Sequence, residues 1–144
     1  MKFKTQFLSF FRGIFLFNYR SLEFRSKIFA SILLAKSKIS KNDYLILSEI
    51  SKEIYPNNQS RADILVQVTK EYIATVETYK KFSLDWLLKD IDRTLKFQKR
   101  YVKKINFEHL RRLISIENED DALIQQRIYE FLISEVKIYS QDKR

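Results

Sequence analysis

Two groups of side chains in this sequence have the residue types and spacing to do chemistry. Glu117, Asn118, Glu119, Asp120 and Asp121 place four carboxylates and an amide within five residues. Hard cations such as calcium, magnesium or manganese favour several oxygen ligands of this kind, so Glu117, Glu119, Asp120 and Asp121 are candidate metal ligands. The same residues also suit an exposed helix start, where the helix dipole favours acidic side chains and water hydrates them. The EF-hand spacing, with its Gly and terminal Glu, is absent. The second group is basic. In KFQKRYVKKI, Lys96, Lys99, Arg100, Lys103 and Lys104 recur at helical steps on one side, while Phe97, Tyr101 and Ile105 line the other. With Arg111 and Arg112 close behind, this face is a candidate site for an anionic partner. It can grip phosphates, each contact steepening the salt dependence of binding, or it can serve only to keep a domain hydrated.

Catalysis has little to work with. The chain has no Cys and one His, which excludes thiolate nucleophiles, disulfides and Cys-ligated zinc or iron–sulfur centres, and points to a reducing compartment. No Ser stands in a recognisable nucleophile setting beside His109. Asp85, Asp90 and Asp92 show no convergence of the kind that acid–base work needs, and Trp86 reads as an anchor between helices. The expectation is a non-enzymatic protein without a cofactor or small-molecule substrate, whose partner is a protein, a nucleic acid or a membrane surface. Zinc fingers, helix-turn-helix signatures and ribonucleoprotein aromatics are absent, so any nucleic-acid contact would follow backbone or shape.

These residues must be positioned by helices. A single Gly and a single Pro in 144 residues argue against turn-rich β architectures. The length fits one domain. The spacing predicts helices at 3–18, 21–37, 41–55, 61–80, 84–94, 96–105, 107–115 and 119–139. Their starts are marked by Ser40 with Asp43, Ser60 with Asp63, Ser83, and Asn118 with Asp121. Pro56, Asn57 and Asn58 supply the one strong break. The fold class is therefore all-α: a single-domain, antiparallel bundle of seven or eight helices. It divides into an amphipathic N-terminal helix (1–20), a helical domain (21–139) and a polar tail (140–144).

In the first helix, Phe3, Phe7, Phe10, Phe11, Ile14 and Phe17 recur at three- and four-residue steps, with Lys4 and Arg12 elsewhere. The run is about half of the ~20 apolar residues that span a bilayer, and no small-x-small cleavage site follows it. The segment fits either a docked core helix or a helix for a membrane surface or partner. A cytoplasmic location is expected, with peripheral contact at the inner face of the membrane left open. The positive charge has two sources: residues 1–41 hold nine basic and one acidic group, and residues 96–112 hold seven and one.

An offset of 78 residues brings apolar positions into register. Phe29 meets Phe107, Ile32 meets Leu110, Ala35 meets Leu113, Leu45 meets Leu123, Ile46 meets Ile124, Ile50 meets Ile128 and Ile54 meets Leu132. Each half reads as a helix, a polar turn, an N-cap and a second amphipathic helix. Two such pairs packed together, with 61–80 and 84–94 bridging them, would close one core.

On these residues the chain resembles the TerB-like domains, named for tellurite resistance proteins and also found in the DjlA co-chaperones. IFASILLAKSKISKNDYLILSEISKEI is similar to the first half of that family and LRRLISIENEDDALIQQRIYEFL to the second. The resemblance spans about residues 21–139. It implies a bacterial-type helical interaction or adaptor module with a link to stress. Where the family commonly has Asp-Gly in the first turn, this chain has Ser37 and Lys38, which weakens a cation site there. The J-domain His-Pro-Asp motif is absent, so stimulation of an Hsp70 ATPase is not implied.

Overall fold

Side-chain oxygens set where the helices begin. The computed structural model describes residues 20–79 and 81–141, so the segment 3–18, with Phe3, Phe7, Phe10, Phe11, Ile14 and Phe17, lies outside the described residues. Within them run α1 (Arg20–Leu34), α2 (Lys41–Ile54), α3 (Gln59–Thr78), α4 (Leu84–Phe97), a 3-10 helix (Lys99–Lys104), α5 (Phe107–Leu113) and α6 (Glu119–Ser140). All regular structure among the described residues is helical.

Ser40 forms the reciprocal capping box expected of it: its Oγ accepts from the Asp43 amide (3.2 Å) and its amide donates to Asp43 Oδ2 (2.8 Å). Ser83 accepts from the Trp86 amide (3.1 Å) and Asn118 from the Asp121 amide (3.1 Å). The start of α3 differs. Asn58, not Ser60, caps it by accepting from the Arg61 amide (3.0 Å). The helix therefore begins as soon as the Pro56 turn is complete, and Ser60 falls inside its first turn.

Helix α1 carries the core. Leu22, Phe24, Ile28, Phe29, Ala30, Ile32 and Leu33 are all buried and point around its whole circumference. A helix apolar on every side has to be surrounded, and α1 packs against α3, α4, α5, α6 and the 3-10 helix. Its buried Ser26 and Ser31 hydroxyls donate to the carbonyls of Leu22 (3.0 Å) and Ile28 (2.7 Å), so neither hydroxyl is left bare. Leu47, Ile50, Leu65, Leu87, Ile91, Leu95 and Leu110 complete one continuous cluster with no exposed surface, each worth about 1.5–3 kcal/mol on burial.

The two predicted pairs meet, α1 on α5 and α6 and α2 on α5, with α3 bridging α1 to α2 and α4 bridging α1 to α6; the main neighbour of α1 is α3, and α6 also packs on the 3-10 helix. The matched repeat positions do share burial: Ile32 with Leu110, Ala35 with Leu113, Ile50 with Ile128. Leu45 (63% exposed) and Leu123 (58%) also match, but on the outside. A correction concerns the predicted helix 96–105. The backbone of Gln98 leaves the helical region (φ −130°, ψ 71°), closing α4 at Phe97 and starting the 3-10 helix. Tyr101 and Ile105 are buried as expected, whereas Phe97 is 77% exposed.

Polar contacts link the two turns that the repeat relates. Asp121 turns away from its own cap and accepts from the Ser37 amide (3.0 Å) and hydroxyl (3.2 Å). Asp43, its counterpart, pairs with Lys36 Nζ at 2.6 Å. No described helix is long and apolar enough to cross a membrane.

Candidate functional site

The predicted basic face does not survive as one continuous stripe. Arg112 is committed to internal carboxylates, donating to both oxygens of Glu53 (2.7 and 2.8 Å) and to Glu108 (2.8 and 3.0 Å). These hydrogen bonds raise the guanidinium's pKa further and hold both carboxyls below the usual carboxylate range. Arg112 is thus engaged by carboxylates of α2 and α5 within the chain. Arg111 lies 5.9 Å from the centre of the Tyr129 ring and Arg100 5.4 Å from that of Tyr101. Lys96, at the end of α4, stands near Glu135, and Lys99 is exposed at the start of the 3-10 helix.

Lys103 and Lys104 instead converge with residues from distant parts of the chain. They line a cleft of about 350 Å³ together with Arg25, Glu53, Ile54, Asn106 and His109. Each wall has a local origin. Arg25 projects from α1 between the buried Phe24 and Ser26. It is steadied by donating to the Tyr55 hydroxyl (3.0 Å), with its guanidinium 5.6 Å from the ring centre. Arg61, from the first turn of α3, lies 4.9 Å from the centre of the same ring. Lys103 and Lys104 are carried by the tight 3-10 turn that Gln98 begins, and Asn106 caps α5 directly after it.

The cleft is strongly positive. Burial, followed by the charges of Arg25, Arg100 and Arg61, holds the Lys104 ammonium below the ordinary lysine range. Among the described residues neither Lys103 nor Lys104 takes part in an ion pair. The carboxylate in the lining, Glu53, is already held by Arg112. Glu53 also stands 3.3 Å from Nε2 of His109, which is 8% exposed and whose Nδ1 has no hydrogen-bond partner among the described residues. This arrangement can hold an anion with several oxygens. It contains no activated nucleophile.

The acidic cluster is not drawn together. Glu117, Glu119 and Asp120 are exposed, while Asp121 is buried and turned to Ser37. Among the described residues no three His, Asp or Glu side chains are grouped to hold a metal ion. Ser37 and Lys38 form their turn without any residue at positive φ, so the turn has no need of the Gly found in TerB-like proteins.

A separate titrating group lies where α6 meets α4. Glu135 is buried and one of its oxygens has no hydrogen-bond partner. Burial first, and then the neighbouring Asp92, raise its carboxyl to about 7, with Lys96 acting in the opposite sense. Tyr139 donates to Asp92 at 2.7 Å, and this bond raises the phenol to about 12.

Arg25, Tyr55, Arg61 and Asn106 were not singled out in the sequence. No signal singles out Arg25 along the chain, because Glu23 and Lys27 flank it on the same helix. No family model matches the chain, and no curated protein or solved structure matches it either.

Proposed function

We propose that this chain is a non-enzymatic helical interaction module that docks an anionic partner in the cleft formed by Arg25, Lys103 and Lys104. One observation carries the reading: cations from α1 and the 3-10 helix converge on one concave site whose carboxylate is neutralised from outside by Arg112, with the charge of Arg61 on α3 acting on Lys104. Interaction sites of this kind draw their partners by charge complementarity. An adaptor role also agrees with the TerB-like resemblance of residues 21–139. The cleft is compact, which favours a discrete anionic group over the long backbone track of a nucleic-acid duplex.

The test is the salt needed to elute the full chain from immobilised heparin. Substituting Arg25→Gln with Lys104→Gln is expected to shift elution to clearly lower salt than substituting Lys96→Gln with Arg111→Gln, although both pairs remove two charges. Equal shifts would mean that only net charge matters, and the reading would fail.

A further inference from the structure

We infer that the cleft is a phosphate site, taking a phosphomonoester or diphosphate group that carries two negative charges on Arg25, Lys103 and Lys104. The inference rests on the anionic docking reading and narrows it to one ligand chemistry.

Charge balance is the first reason. Lys104 is partly buried beside three guanidiniums, and holding like charges together away from water costs stability unless a counter-charge is present. The nearest carboxylate, Glu53, is engaged by Arg112 at 2.7 and 2.8 Å. A single carboxylate ligand would bring one negative charge. A phosphate group brings about 1.5–2 at neutral pH together with three strong acceptor oxygens.

Geometry is the second. The Arg25 guanidinium is held by the Tyr55 hydroxyl at 3.0 Å, so its planar fork is already oriented. That fork matches phosphate oxygens in pairs. Lysine ammoniums act as mobile point charges, and two of them, adjacent in sequence, line the same cleft. The volume of about 350 Å³ lies at the lower end of small-ligand sites, enough for a phosphate and what it is attached to.

The chemistry is shared by soluble phosphorylated compounds and by a lipid phosphate headgroup, and the experiment separates them. Inorganic pyrophosphate is titrated calorimetrically into the full chain at fixed ionic strength, beside succinate, a dicarboxylate, and tricarballylate, a tricarboxylate whose charge at neutral pH is close to that of pyrophosphate. Pyrophosphate is expected to bind at least about tenfold more tightly than either carboxylate, and Arg25→Gln with Lys104→Gln to weaken it by about tenfold or more. Because Arg25 also holds Tyr55, the single variant Lys103→Gln, which touches no described ion pair, is measured as well, with an expected loss of about threefold. Binding to phosphatidic acid vesicles that is lost in the same variants supports the proposal and assigns a lipid source. Pyrophosphate binding without vesicle binding supports it with a soluble source. Equal affinity for either carboxylate, or pyrophosphate affinity untouched by all three substitutions, overturns it. Heparin retention that depends on the cleft, with no pyrophosphate binding, overturns the phosphate assignment while leaving anionic docking intact; loss of both removes both.

Discussion

Gln125 reaches across 93 positions to Ile32, its Nε2 donating to the carbonyl near the end of α1 (3.1 Å). The same nitrogen donates to the Leu113 carbonyl (2.9 Å), and Oε1 accepts from the Ser115 amide (2.8 Å). One fully buried amide thus satisfies backbone groups of α1, α5 and the turn before α6. Leu47 occupies the matching position of the other half and is likewise fully buried, so a leucine is sterically at home there. Gln125→Leu is nevertheless expected to destabilise by about 2–4 kcal/mol, because three buried backbone groups lose their partners. Urea denaturation measures this, and a change below 0.5 kcal/mol in magnitude, the range of about ±0.5 usual for surface changes, would contradict it.

Asp121 closes the same region from the other side by holding the Ser37 amide and hydroxyl. Asp121→Ala is expected to cost about 1–3 kcal/mol by leaving that amide unpaired. Because this carboxylate is occupied internally, millimolar calcium or magnesium is expected to leave the melting temperature of the wild-type chain unchanged. A rise with metal, abolished by Asp121→Ala, would restore the cation reading of Glu117 to Asp121.

Glu53 and Arg112 control the cleft without being its cations. Arg112→Gln is expected to weaken retention on heparin by more than the loss of one distant charge, since it releases the Glu53 carboxylate into the cleft wall. Glu53→Gln is expected to strengthen retention, by more in the Arg112→Gln background than in the wild type, and that difference is the signature of a coupled pair. Additive shifts would show that the two residues act independently.

Glu135 makes stability fall as pH rises. Its folded carboxyl lies at about 7, above the ordinary value of 4.5, so its contribution is complete below about 4.5 and is lost on passing upward through about 7. Asp92, Tyr139 and Lys96 are the polar groups that face it. Glu135→Gln is expected to match wild type at pH 5 and to exceed it at pH 8 by about 1–3 kcal/mol, read from urea denaturation at the two pH values. A constant difference between the two pH values would show that the pair does not titrate in this window.

Much of the fold is legible from local chemistry. Ser40, Ser83 and Asn118 cap where their oxygens predict, and the apolar spacing places α2, α4 and α6 to within a few residues. A break was expected at residue 95, but its place at Gln98 and the 3-10 turn after it were not legible, because no Gly or Pro marks them and the periodicity of Phe97, Tyr101 and Ile105 runs through them. The site was half legible. Lys103 and Lys104 stand out by charge, but Arg25 joins them only through the tertiary position of α1. Arg112 leaves the group for an equally non-local reason, since Glu53 lies 59 positions away. Pairings made across the core leave no periodic trace along the chain.

Among the described residues the connections between these helices bend without any left-handed residue, and the sole glycine of the chain, Gly13, is outside them. Four corners are instead shaped by a short polar side chain: Ser37 on Asp121, Ser40 on Asp43, Asn58 on Arg61, Asn106 on His109. Hinge-like pivoting has no backbone to exploit here, and an unfolded chain so poor in glycine surrenders less freedom when it orders. Repairing or damaging this protein at its corners is a matter of swapping oxygens, one hydroxyl or amide at a time.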